Sequence, residues 1–304
     1  MNYGELLEKW LSERIKPFYK QRTYERYALS ARLHVKNALG GLETGGITAA
    51  RLQAFLTSLG ESGNLKKRGA LSANTVNAVI TVIKKSLDYA CFTGLIRKNP
   101  AAALARPKRN EKPVECFTVA EQKKIEAAVK ESKKDKMRGV ILCLYTGLRI
   151  GELLALEWAD VDLQSGSLTV NKSCHDTPEG LAVEKPKTFS SNRVIPLPKQ
   201  LLPYLKEWRK KSRSPRVIND GGKEISVRSY QRSFELLLKR AGVRHKGFHS
   251  LRHTFATRAL ECGMDVKTLS EMLGHKNPAV TLTRYAHSLT EHKREMMNRL
   301  GKLL

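Results

Sequence analysis

Between Arg106 and Pro113 the chain reads Arg-Pro-Lys-Arg-Asn-Glu-Lys-Pro, a stretch that no hydrophobic core can absorb. Its two prolines stiffen the backbone, and its four cations, Arg106, Lys108, Arg109 and Lys112, need water or a counter-charge. Asn99-Pro100 signals the approach to it. A 304-residue chain interrupted in this way folds as two units. The expected division is a domain over 1–105, a connector over 106–113 and a second domain over 114–304.

Charge says what both units face. The formal net charge is +26, with +12 over residues 1–110 and +14 over 111–304. A basic tail would concentrate the excess; an even spread points to two folded domains turned toward one polyanion, with nucleic acid the leading partner. A membrane surface fits less well, because no long basic amphipathic helix stands out and no apolar run approaches the ~20 residues that span a bilayer. Cys91, Cys116, Cys143, Cys174 and Cys262 are scattered, with no Cys-x-x-Cys pair, which argues against structural zinc and suits a reducing cytoplasm. Asp160 and Asp162 lie close together near a turn, where capping and solvation explain them better than metal binding.

Apolar periodicity predicts helices throughout 1–105. Leu6, Leu7, Trp10, Leu11 and Ile15 mark one face, Arg22 to Leu39 continues the pattern, Thr48 caps a third helix, and Ser72 to Thr93 forms the strongest one, stopped by Gly94. Asn64 to Gly69 is a basic loop suited equally to solvent and to phosphate. In the second unit, Thr118-Val119-Ala120-Glu121 reads as a capping box. A buried helix from Gly139 to Thr146 stops at Gly147, and another starts after Arg149. Arg149, amid leucines and an isoleucine, needs a partner, and Glu152 is the plain candidate. Ser167–Asn171, Leu181–Glu184 and Arg193–Leu197 alternate as strands and are expected to form one small antiparallel sheet. Further helices are expected over Leu201–Arg209, Val227–Arg240, Ser250–Glu261 and Val266–Leu273, with an amphipathic tail from Leu289.

One stretch gathers the chemistry. From Gly247 to His287 the chain holds His249, Arg252 and His253 at helical offsets of three and four, then His275 in Leu-Gly-His, then Tyr285 ten residues on. Each histidine alone would be unremarkable; the joint spacing of histidines, arginines and a tyrosine suits one anion-handling site.

With Thr146-Gly147-Leu148-Arg149-Ile150-Gly151-Glu152-Leu153 upstream, these blocks stand in an order and at separations that resemble the tyrosine recombinase (phage integrase) family. The resemblance covers roughly 113–304; the helical region before it is similar to that family's core-binding domain in size, charge and helicity. It implies a mainly α fold with a small antiparallel β-sheet: an all-helical core-binding domain and a mixed α+β catalytic domain. It implies a catalytic set of Arg149, Lys187, His249, Arg252, His275 and Tyr285, with His253 in support. Lys187 lies in the loop before Arg193, with Lys185 a near alternative.

The implied reaction is phosphoryl transfer without ATP or any other cofactor. Tyr285 forms a covalent 3′-phosphotyrosyl link, the two arginines clamp the phosphate oxygens, His249 accepts the phenol proton, Lys187 protonates the leaving 5′ oxygen, and His275 donates to the phosphate. The implied partner is double-stranded DNA, held in a C-shaped clamp by a homotetramer that is monomeric or weakly dimeric off DNA and coupled through the C-terminal tail. Accessory excision or DNA-bending factors belong to the same picture, and a chain of this length leaves no room for an arm-binding domain. Integration and excision of a phage or other mobile element is the leading role. Chromosome- or plasmid-dimer resolution, a type IB topoisomerase and a non-catalytic DNA-binding protein are the alternatives.

Overall fold

Side-chain caps start several of the helices. In the computed structural model Asn2 and Glu5 close a capping box on α1 (Tyr3–Trp10), which runs on through a π-helical stretch to Ile15. The structure describes residues 1–64, 69–108, 114–132, 134–184, 192–275, 277–279, 297–298 and 301. The chain divides into two compact units, Met1–Lys112 and Pro113–Leu304.

The first unit is helical. After α1 come α2 (Gln21–Ser30), the short α3 (Asn37–Leu39), α4 (Ala49–Ser62) and α5 (Ala73–Phe92). Thr48 accepts from the Arg51 amide to start α4, and Ser72 accepts from Thr75 to start α5. Leu6, Leu7, Trp10, Leu52, Ile80 and Ile83 are buried in one core, as the 3.6-residue period requires. Inside it Tyr3 Oη and Ser86 Oγ share a 2.8 Å hydrogen bond that ties α1 to α5.

The second unit opens with α6 (Val119–Glu131), capped by the Thr118/Glu121 box. Then follow, among the described residues, α7 (Arg138–Thr146), α8 (Ile150–Ala155), five strands, α9 (Leu202–Lys211), α10 (Val227–Arg240), α11 (His249–Glu261) and α12 (Val266–Leu273). The mainly helical fold with small antiparallel sheets is therefore present. No described helix is long and apolar enough to cross a membrane.

The expected single sheet is two. β1 (Val161–Asp162), β2 (Ser167–Val170) and β5 (Arg193–Pro196) form one antiparallel sheet in the order β1-β2-β5. β4 (Gly180–Glu184) pairs instead with β3 (Ser173–Thr177), a strand that periodicity did not mark. Ser-Cys-His-Asp-Thr carries almost no apolar alternation; it becomes a strand because Pro178 and Glu179 turn the chain back and Gly180 takes a positive φ of 132° opposite Thr177.

Two glycines set how closely the layers approach. A Cβ on Gly151 would lie 2.5 Å from the Cys174 carbonyl oxygen, so only glycine lets α8 press on β3. Gly147 ends α7 in the left-handed region at φ 65°, where a Cβ would meet Phe255 Cδ1 at 2.5 Å and Leu273 Cδ2 at 2.9 Å. Gly147→Ala combines left-handed backbone strain with overpacking against α11 and α12. It is expected to remove about 2–4 kcal/mol of stability, read as a lowered urea midpoint; a midpoint unchanged from wild type would contradict this packing.

Candidate active site

The C-terminus of α12 gathers three arginines. A helix ends with carbonyls that lack intrahelical partners and carry partial negative charge. At this end three successive carbonyls each accept from a different guanidinium. Arg193 Nε donates to Met272 O at 2.6 Å, Arg252 Nη2 to Leu273 O at 2.6 Å, and Arg149 Nη2 to Gly274 O at 3.4 Å. The arginines come from β5, α11 and the α7–α8 turn. Gly274, left-handed at φ 66°, closes the helix and delivers His275 beside them.

Arg252 is 2% exposed. Its Nη1 donates to Gly147 O at 2.9 Å, and its Nη2 stands 3.0 Å from His275 Nε2. Gly147 thus supplies both the turn before Arg149 and an acceptor that aims Arg252. His275 is half-buried at the same end of α12.

Glu152 is the counter-charge. It is 5% exposed, and its two oxygens take four donors. Arg149 Nη1 reaches Oε1 at 2.7 Å, the Arg149 amide reaches Oε2 at 2.9 Å, and Arg193 forks across both at 3.2 and 2.9 Å. That fills the ~four lone-pair sites of a carboxylate. Burial pushes its acidity the other way, but Arg193, with Arg149 behind it, reverses the effect and holds the carboxyl down to about 2. The plain reading of Arg149 as the partner of Glu152 is therefore present in the structure, and it is part of the site: the same bond fixes where the guanidinium points.

His249 and His253 meet one turn apart on α11, edge to face, with ring centroids 4.6 Å apart. Depth separates the residues of this face: His249 is exposed, His253 half-buried and Arg252 buried beneath them. The structure thus brings Arg149, Arg252 and His275 together, and Arg252 shares its helix with His249. Lys187 and Tyr285 lie outside the described residues, as do 109–113 of the connector, 65–68 of the basic loop and all of the tail except 297–298 and 301. Asp162 caps its own turn by accepting from the Gln164 and Ser165 amides, as anticipated. Asp160 also caps, accepting from the Glu157 amide, but its side chain is buried and paired with Lys172 rather than solvated.

Arg193 is the site residue that motif reading missed, although a signal was there. In the strand Arg-Val-Ile-Pro, Val194 is 61% exposed and Ile195 is buried, so alternation turns Arg193 inward. An inward arginine needs a buried acceptor.

The model of the phage integrase family matches residues 116–292. The chain is 30% identical to a protein named tyrosine recombinase XerC-like from Caldanaerobacter subterraneus subsp. tengcongensis, over 99% of this chain and 83% of that one. It is 26% identical to the ICEBs1 integrase of Bacillus subtilis, over 95% of this chain and 79% of that one. Its fold superposes on that of a Tn1549 transposon integrase solved in complex with transposon right end DNA. There the TM-score is 0.82 at 23% identity, covering 99% of this chain and 100% of the other.

Proposed function

We infer the function from one premise: the chain belongs to the phage integrase family, whose members named here are tyrosine recombinases and integrases. It is a site-specific DNA recombinase that cuts and rejoins strands through a covalent 3′-phosphotyrosine. The observation that carries this reading is the meeting of Arg149 and Arg252, with His275, at the end of α12.

A phosphodiester passing to its transition state develops charge on its non-bridging oxygens, and fixed guanidiniums stabilise that charge without reorganising. Arg149 is held by Glu152, and Arg252 by two carbonyls, so neither must be ordered when DNA arrives. Tyr285 supplies the oxygen that attacks phosphorus as the bond to the 5′ oxygen breaks. His249 takes the phenol proton and Lys187 gives one to the leaving oxygen. The phosphotyrosine conserves the energy of the broken bond, so a 5′ hydroxyl from another strand rejoins the backbone without ATP. Both basic units engage the duplex, four protomers act together at the junction, and the work is done in the cytoplasm.

Integration and excision of a mobile element is the role we favour, on the likeness to a transposon integrase and to the ICEBs1 integrase. The XerC-like relative supports the second reading, resolution of chromosome or plasmid dimers. The test uses nicked duplexes tiled across the DNA flanking the coding gene. Incubated with the protein and run under denaturing conditions, one of them should be retarded as a protein adduct through its 3′ end. Specific binding without any adduct, or an adduct through a 5′ end, sinks the reading.

A further inference from the structure

We propose that Arg193 is a positioning residue for strand cleavage: one buried guanidinium locks Arg149 and the His275 segment to the start of β5. The proposal rests on the recombinase reading above and adds a residue to it.

Three connections meet at this residue, two through its side chain and one through its backbone. Its fork holds Glu152 at 3.2 and 2.9 Å, and Glu152 in turn holds Arg149 at 2.7 Å. Its Nε holds Met272 O at 2.6 Å, and the next carbonyl, Leu273 O, holds Arg252. Its backbone begins β5, six residues along the chain from Lys187. Movement of Arg193 would therefore shift Arg149 through Glu152 and His275 through the end of α12.

Burial at 9% tells what kind of contribution this is. A buried ion pair gives little net stability over well-packed apolar residues, because desolvation offsets its attraction. What the planar fork supplies instead is direction: two parallel bonds to Glu152 fix the carboxylate plane, and that plane fixes the Arg149 guanidinium. Lysine at 193 keeps the charge but cannot donate in two directions along one plane while reaching Met272 O.

The experiment measures single-turnover cleavage of the adduct-forming duplex at saturating protein, together with DNA affinity and the thermal midpoint. Arg193→Lys should stay folded and bind DNA within about twofold of wild type, while cleavage falls about 10- to 100-fold, the scale of a small misplacement of a reacting group. A double-mutant cycle with Arg149→Lys separates positioning from bulk stability. If Arg193 works through Arg149, the double variant cleaves about as fast as Arg149→Lys alone. Losses that multiply, or Arg193→Lys cleaving at the wild-type rate, overturn the proposal. Arg193→Gln, which can still donate to Met272 O, is read in the same cycle should the lysine variant not fold. Absence of any adduct with the wild-type protein overturns the recombinase reading and this proposal with it; a wild type that cleaves beside an equally active Arg193→Lys overturns this proposal alone.

Discussion

Tyr285→Phe should bind its DNA site with affinity within about tenfold of wild type and form no covalent adduct. The substitution removes one oxygen, and a single hydrogen bond contributes about 0.5–1.5 kcal/mol net. In the proposed reaction that oxygen is the nucleophile, and nothing replaces it. The second unit contains three other tyrosines, Tyr145, Tyr204 and Tyr230. Tyr230 is fully buried and donates to Lys136 O at 2.9 Å. Tyr145 and Tyr204 line a separate cavity between α6, α7 and α9. There the Tyr145 hydroxyl donates to Glu126, and burial together with that carboxylate raises its pKa, away from a usable phenolate. The measurement is a denaturing gel with a nicked duplex, beside a native binding assay. An adduct that survives the change would mean that the nucleophile has been misassigned.

The contrast between Arg149 and Arg193 shows what a sequence discloses here. Arg149 was legible because it stands in a block whose neighbours and distances to later blocks carry information. Arg193 stands in a strand of four, where strand alternation reports only that its side chain turns inward and not what it meets there. Its partners, Glu152 and Met272, lie 41 and 79 residues away in the chain, and no local pattern reports a contact of that span. Helix starts were legible for the opposite reason: a cap such as Thr118 with Glu121, or Ser72 with Thr75, is closed within three residues. The single-sheet expectation failed at β3, whose strand character comes from pairing with β4 and not from its own residues. The grouping of Arg149, Arg252 and His275 was expected from the motif, yet its cause, the unpaired carbonyls at the end of α12, appears only once the helix is placed.

Arg252→Lys tests whether that helix end is an instrument of catalysis. In the wild type the guanidinium donates to Gly147 O and Leu273 O at once and stands 3.0 Å from His275. Those carbonyls belong to the α7–α8 turn and to α12, so one planar group fixes the relative position of the Arg149 turn and His275. An ammonium keeps the charge but has a single nitrogen, which cannot satisfy both carbonyls in the same plane. One buried carbonyl left without its donor should lower stability by roughly 1–3 kcal/mol, visible in the thermal midpoint. Cleavage should fall much further, by about 10²- to 10³-fold, the usual effect of losing one preorganised donor to a developing oxyanion. DNA affinity, dominated by many phosphate contacts over two basic units, should change little. The ratio of these losses decides the point. If cleavage declines only in proportion to the unfolded fraction, Arg252 is a structural strut between α7, α11 and α12, and the phosphate is held elsewhere. If the folded, DNA-bound variant is slow by two orders of magnitude or more, the end of α12 sets the geometry in which the phosphodiester reacts.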